Sequence, residues 1–144
     1  MAQVELLLSP LPVHVRTARL VGVAAARRAG LDDELVDELR LALGEACTRA
    51  VGLHVQHAPD LPVRVLLQDD PTGLTVTITD AGPNVERNAP ELGASAFGED
   101  GEEVDPGVAL AVLAGLVDDV QVQAAENGPG TVVVLRWPLP PRTP

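Results

Sequence analysis

From Asp33 to beyond Arg49, the residues Leu35, Leu39, Ala42, Leu43, Ala46 and Ala50 recur at the helical period and fall within one stripe. No other segment is as clearly periodic, and a helix of this kind must bury its stripe against a second layer. The chain supplies one directly. Pro62 to Gln68 (PVRVLLQ) and Leu74 to Thr79 (LTVTIT) read as strands, the second with strict alternation. Asp70-Pro71-Thr72-Gly73 between them reads as a hairpin connection, so the two strands should pair antiparallel.

The remaining segments fit around this unit. Gln3 to Leu8 reads as an opening strand, and Ser9-Pro10-Leu11-Pro12 offers a cap and a first-turn proline for a helix running to about Ala29. Gly30 stops that helix, and Asp32 or Asp33 starts the next. Asp80 to Asp105, rich in Gly, Pro, Asn and acid, is too long for an ordinary connector and reads as a functional or mobile lid. Asp105-Pro106 then starts a short, almost wholly apolar helix ending near Asp118. Val120 to Ala125 and Thr131 to Trp137 form a last strand pair around Asn127-Gly128. The order predicts an α/β (α+β) two-layer sandwich, with helices on one face of a mixed, mostly antiparallel sheet. Its other face is left to solvent or to association, a homodimer included. One domain spans residues 1–138, and 139–144 reads as a frayed tail.

Charge and composition narrow the function. A formal net charge of -11 repels a phosphate backbone, and with aromatic residues at 1% there are no stacking platforms for bases. Direct nucleic-acid binding is excluded on that basis. The lone Cys47 sits within a helical pattern and reads as a buried thiol in a reducing compartment. The start of the chain lacks the basic flank and small-residue cleavage site of a signal peptide, and the longest apolar run, Gly107 to Val117, is far short of the ~20 residues that span a bilayer. A cytoplasmic location, away from membranes, is expected.

Glu45 and Arg49 lie four apart on the flank of the helical stripe. From spacing alone they are either an ordinary helical ion pair, worth roughly 0.3–0.5 kcal/mol, or part of a site. His54 and His57 stand three apart but have no Cys or second carboxylate cluster beside them, so no metal site is expected. The sequence contains no P-loop, paired-Cys or Ser/His/Asp pattern.

The segment LRLALGEACTRAV, Leu39 to Val51, followed by a strand pair that runs into Asp80-Ala81-Gly82, a lid and Gly107, resembles the anti-sigma-factor serine kinases of the GHKL ATPase superfamily. The resemblance extends from Gln3 to about Pro138 and implies the Bergerat, histidine-kinase-like ATPase fold. It makes Leu39 to Val51 the N box, with Glu45 as general base. Arg49 stands where that family has a magnesium-binding asparagine. Arginine offers only donors, so it cannot hold magnesium, though it can contact a phosphate. Asp80 and Gly82 match the start of the D-x-G-x-G motif, whose aspartate recognises the adenine amino group, and Asn84 replaces the second glycine. Gly107-Val108-Ala109-Leu110 resembles the G-x-G-L segment that lets backbone amides approach phosphates, with Ala109 in place of a glycine.

Glu99, Asp100, Glu102, Glu103 and Asp105 precede the last helix, whose N-terminal end would otherwise receive a triphosphate; the same run is also what a solvated acidic loop looks like. Asp105 as N-cap would take those amides itself. Weak or absent ATP and magnesium binding is therefore expected. The resemblance implies a sigma factor and/or a STAS-domain anti-anti-sigma factor as partner, and the departures at Arg49, Asn84 and Ala109 make binding, with catalysis secondary, the expected role. An active kinase phosphorylating the STAS protein is the alternative, and a small-molecule-binding domain a third class. In the family the first helix contributes to partner contacts. Arg16 and Arg19, three apart on that helix, are the expected basic edge, unless they pair with the chain's own acids.

Overall fold

The computed structural model describes residues 2–83, 106–126 and 128–140. Asn84, the acidic run up to Asp105 with its expected N-cap, Asn127 and the tail from residue 141 lie outside the described residues. The order is β1 (Ala2–Leu8), α1 (Val13–Ala29), α2 (Asp33–His57), β2 (Val63–Asp70), β3 (Gly73–Asp80), α3 (Pro106–Leu116), β4 (Asp119–Ala124) and β5 (Thr131–Pro138). The five strands form one sheet in the order β1-β2-β3-β5-β4. Every pairing is antiparallel, so the sheet expected to be mixed contains no parallel pair among the described residues.

The helix ends follow local chemistry. At the end of α1, Gly30 adopts φ 97°, its N–H donates to Arg27 O, and Leu31 N–H donates to Ala26 O. This is a Schellman closure, which needs a residue that accepts the left-handed conformation. Asp32 then caps α2, its Oδ1 accepting from Leu35 N at 2.9 Å. The start of α1 differs from expectation. Ser9 makes no side-chain cap; Pro12, already helical at φ -54° and ψ -30°, takes that place, and Ser9 contributes its carbonyl to Leu11 N and the His14 ring. Two prolines preset the backbone there, so a hydroxyl cap is not needed.

Alternation decides which side of the sheet meets the helices. Val63, Val65 and Leu67 of β2, Leu74, Val76 and Ile78 of β3, and Val133, Leu135 and Trp137 of β5 are all buried. They pack with Leu39, Leu43 and Cys47 of α2 and Leu113 of α3. The Trp137 indole N–H donates to Glu38 Oε2 at 2.6 Å, which ties β5 to α2. Between β2 and β3, Asp70 Oδ1 accepts from Thr72 N at 2.7 Å and Gly73 N at 3.1 Å, closing the hairpin. The Thr72 hydroxyl, which also donates to Oδ1, and then the Thr72 N–H hold the Asp70 carboxyl below the usual range. No described element covers the opposite face, where Glu5 pairs with Arg64 at 2.6 Å beside the row Thr75, Thr77 and Thr79. Among the described residues, no helix is long and apolar enough to cross a membrane.

Candidate functional site

Buried polar groups are the informative exceptions in a core. Among the described residues there are four: Arg49, His54, Asp80 and Thr131. The fold gathers them at one end. Arg49 and His54 lie on the second half of α2, Asp80 ends β3 on its inward-facing register, and Thr131 opens β5 directly across from Asp80.

Arg49 Nη1 donates to Asp80 Oδ2 at 2.8 Å, and neither side chain has any solvent exposure. Asp80 Oδ1 accepts from Gly82 N at 3.0 Å, so both carboxylate oxygens are engaged. The local ion pair between Glu45 and Arg49 is therefore not the one that forms. Arg49 reaches instead to an acid 31 residues away, and Nη1, free for a phosphate in the sequence reading, is committed to Asp80. Among the described residues its Nε and Nη2 have no hydrogen-bond partner, nor has Thr131 Oγ1.

His54 is fully buried and holds the neighbouring backbone. Its Nδ1 lies 2.8 Å from Leu61 O, and its Nε2 accepts from Ala81 N–H at 2.8 Å. With Nε2 as acceptor, the ring is neutral and Nδ1 carries the proton. The turn Asp80-Ala81-Gly82 is thus pinned by two side chains of α2 and by its own carboxylate. Gly82 is buried against Leu53, where an added Cβ would stand 2.9 Å from Leu53 Cβ. Gly130, just before β5, has φ 133°, and a Cβ there would meet Asp80 O at 2.1 Å.

The other expected residues divide. Glu45 is half-buried on α2 and makes no ion pair among the described residues. Gly107 lies in the first turn of α3. Ala109, in place of a glycine, is 1% exposed, so its methyl group is part of the packing. Among the described residues no group of three or more His, Cys, Asp or Glu is placed to hold a metal. Cys47 is buried, and desolvation pushes its thiol up to about 12, with the Arg19 charge acting weakly in the other direction.

Arg16 and Arg19 are exposed on α1 and pair with no carboxylate among the described residues. The alternative in which they pair with the chain's own acids is not what the described residues show. The Arg19 guanidinium lies over α2 at Gly44. Sequence reasoning missed Thr131, Gly130 and Gly44. For the last, a glycine inside an otherwise good helix was the available signal.

The family model described as histidine kinase-like ATPase domain matches residues 8–137. A serine-protein kinase RsbW from Listeria monocytogenes is 28% identical over 128 residues, covering 87% of this chain and 82% of that protein. The Bacillus pumilus protein of the same name is 28% identical over 145 residues, covering 93% and 85%. Among solved structures, the RsbU and RsbW domains of Rv1364c from Mycobacterium tuberculosis superpose with a TM-score of 0.62 at 15% identity. That match covers 99% of this chain but 34% of the longer one, and it speaks to the fold.

Proposed function

The chain belongs to the histidine kinase-like ATPase domain family, and we propose that within it this protein is a regulatory binder that holds a sigma factor or a STAS-domain antagonist without depending on Mg-ATP. The observation that carries this reading is the buried Arg49–Asp80 pair. Arg49 stands at the position where the resemblance calls for a magnesium ligand. Its guanidinium supplies the donor to Asp80 that an adenine amino group would otherwise supply. Adenine could reach Asp80 only by displacing a charge-assisted hydrogen bond and leaving Arg49 without its one partner among the described residues. Ala109 adds a methyl group where close backbone approach to a phosphate would need a glycine.

Calorimetric titration with ATP and magnesium tests this directly. Saturation is not expected below about 1 mM, an affinity weaker than about 4 kcal/mol. A low-micromolar, magnesium-dependent dissociation constant would overturn the proposal.

The competing reading is a working serine kinase, as the relatives' name suggests. Glu45, half-buried and without an ion pair among the described residues, favours it, since a general base must be free to take the serine proton. Transfer of labelled phosphate from ATP to a STAS-domain protein would establish it.

Partner binding is assigned to α1. On a chain of net charge -11, two arginines three residues apart that pair with no carboxylate among the described residues suit carboxylates brought by another protein. Reversing both, Arg16→Glu with Arg19→Glu, is expected to weaken binding of a STAS or sigma partner by at least about 2 kcal/mol. Melting of the variant should stay close to the parent's, because exposed substitutions usually shift stability by less than about 0.5 kcal/mol. Unchanged affinity in the folded double variant removes α1 from the interface.

A further inference from the structure

Gly44 lies in the middle of α2, where a glycine is less favourable than alanine. A cost of that kind usually has a packing reason, and here the reason is specific. A Cβ built on Gly44 would stand 2.3 Å from Arg19 Nε, 2.7 Å from Nη2 and 2.9 Å from Cζ, and these are its three nearest atoms. Gly22 is a different case, since its Cβ would strike Leu43 and Leu39 side chains of the core. The space that Gly44 leaves is filled by a guanidinium that is still exposed at the surface and has no carboxylate among the described residues.

We propose that Gly44 is a positioning residue. Its missing side chain makes a seat on α2 that fixes the Arg19 guanidinium, so that Arg19 meets a partner carboxylate in a preset orientation. The inference rests on the reading of α1 as the partner surface. An unseated arginine loses rotamer freedom when it is immobilised at an interface, whereas a seated one has lost it already. The surroundings fit a protein partner presenting a carboxylate beside apolar groups. By helical rotation, Arg16 lies next to Arg19 on the outer face of α1, followed by Val13 and Leu20, which are 65% and 64% exposed. Apolar residues of this exposure flanking unpaired cations are the composition of an interface whose centre is filled by the other chain.

The test is Gly44→Ala, which re-aims Arg19 while keeping its charge and every other surface group. The probe is the STAS-domain protein that the parent chain binds in calorimetry. Binding is expected to weaken by roughly two- to tenfold, while the melting temperature holds or rises with the better helix former. Gly44→Ala should then add nothing in an Arg19→Ala background, because the seat has no other occupant. The Arg19 Nε–H resonance gives a readout that needs no partner, and it should move in Gly44→Ala. Unchanged affinity in Gly44→Ala, the same loss persisting without Arg19, or an unmoved Nε–H resonance would each overturn the seat. These results stay distinct from failure of the α1 surface itself. If the Arg16 and Arg19 reversal leaves affinity intact, the surface assignment fails. If the reversal weakens binding and Gly44→Ala does not, only the seat fails.

Discussion

Asp80→Ala is expected to destabilise the protein by about 3–5 kcal/mol, the range found when one partner of a buried ion pair is removed. The Arg49 side chain has no solvent exposure, and among the described residues Asp80 accepts its only hydrogen bond. Without the carboxylate, a full positive charge remains in the core with three unsatisfied nitrogens. Gly82 N loses its acceptor as well. A loss of this size removes much of the roughly 5–15 kcal/mol that holds a domain together. Urea unfolding followed by circular dichroism would measure it. A companion variant separates the charge from the packing: Asp80→Ala combined with Arg49→Met removes both charges and should recover much of the loss, because apolar replacement of a whole buried pair is often neutral. A cost below about 1 kcal/mol for Asp80→Ala alone would mean that Arg49 reaches water when unpaired. The buried pair would then no longer support the proposal that nucleotide binds weakly or not at all.

The parts of this fold that were legible in the sequence are those with a strong local period. The stripe from Leu35 to Ala50 and the alternation of β2 and β3 each repeat often enough to identify an element without its neighbours, and Asp32 and Gly30 mark helix ends by their own chemistry. The site was less legible because its contacts join residues far apart. Asp80 was singled out through the resemblance, but that Arg49 would turn to it across 31 residues, rather than to Glu45 four residues back, depends on the angle at which α2 crosses the sheet. His54 read as a weak metal candidate, yet its two nitrogens serve two backbone groups. Thr131 could not be told from any other strand-opening threonine, since its position opposite Asp80 is fixed by the β3–β5 register.

Gly130 is the second place where a small change should have a large effect. Its φ of 133° is a conformation that side-chain-bearing residues rarely adopt, which costs on the order of 1–3 kcal/mol. An added Cβ would also stand 2.1 Å from Asp80 O and 3.1 Å from both Asp80 C and Ala81 Cα. These are backbone atoms of the turn that His54 and Arg49 pin, so they cannot step aside as a flexible side chain would. Forced overpacking of this kind costs typically another 1–3 kcal/mol, and Gly130→Ala is expected to lose roughly 2–6 kcal/mol in all. Gly128 provides the control. It has a similar φ of 145°, but nothing lies within 4 Å of its built Cβ. Gly128→Ala should therefore carry the conformational cost alone, and the difference between the two variants in urea unfolding isolates the contact with Asp80. Equal losses would show that the backbone at Asp80 yields. The pinned turn would then be too soft to keep Asp80 on Arg49 against a competing ligand.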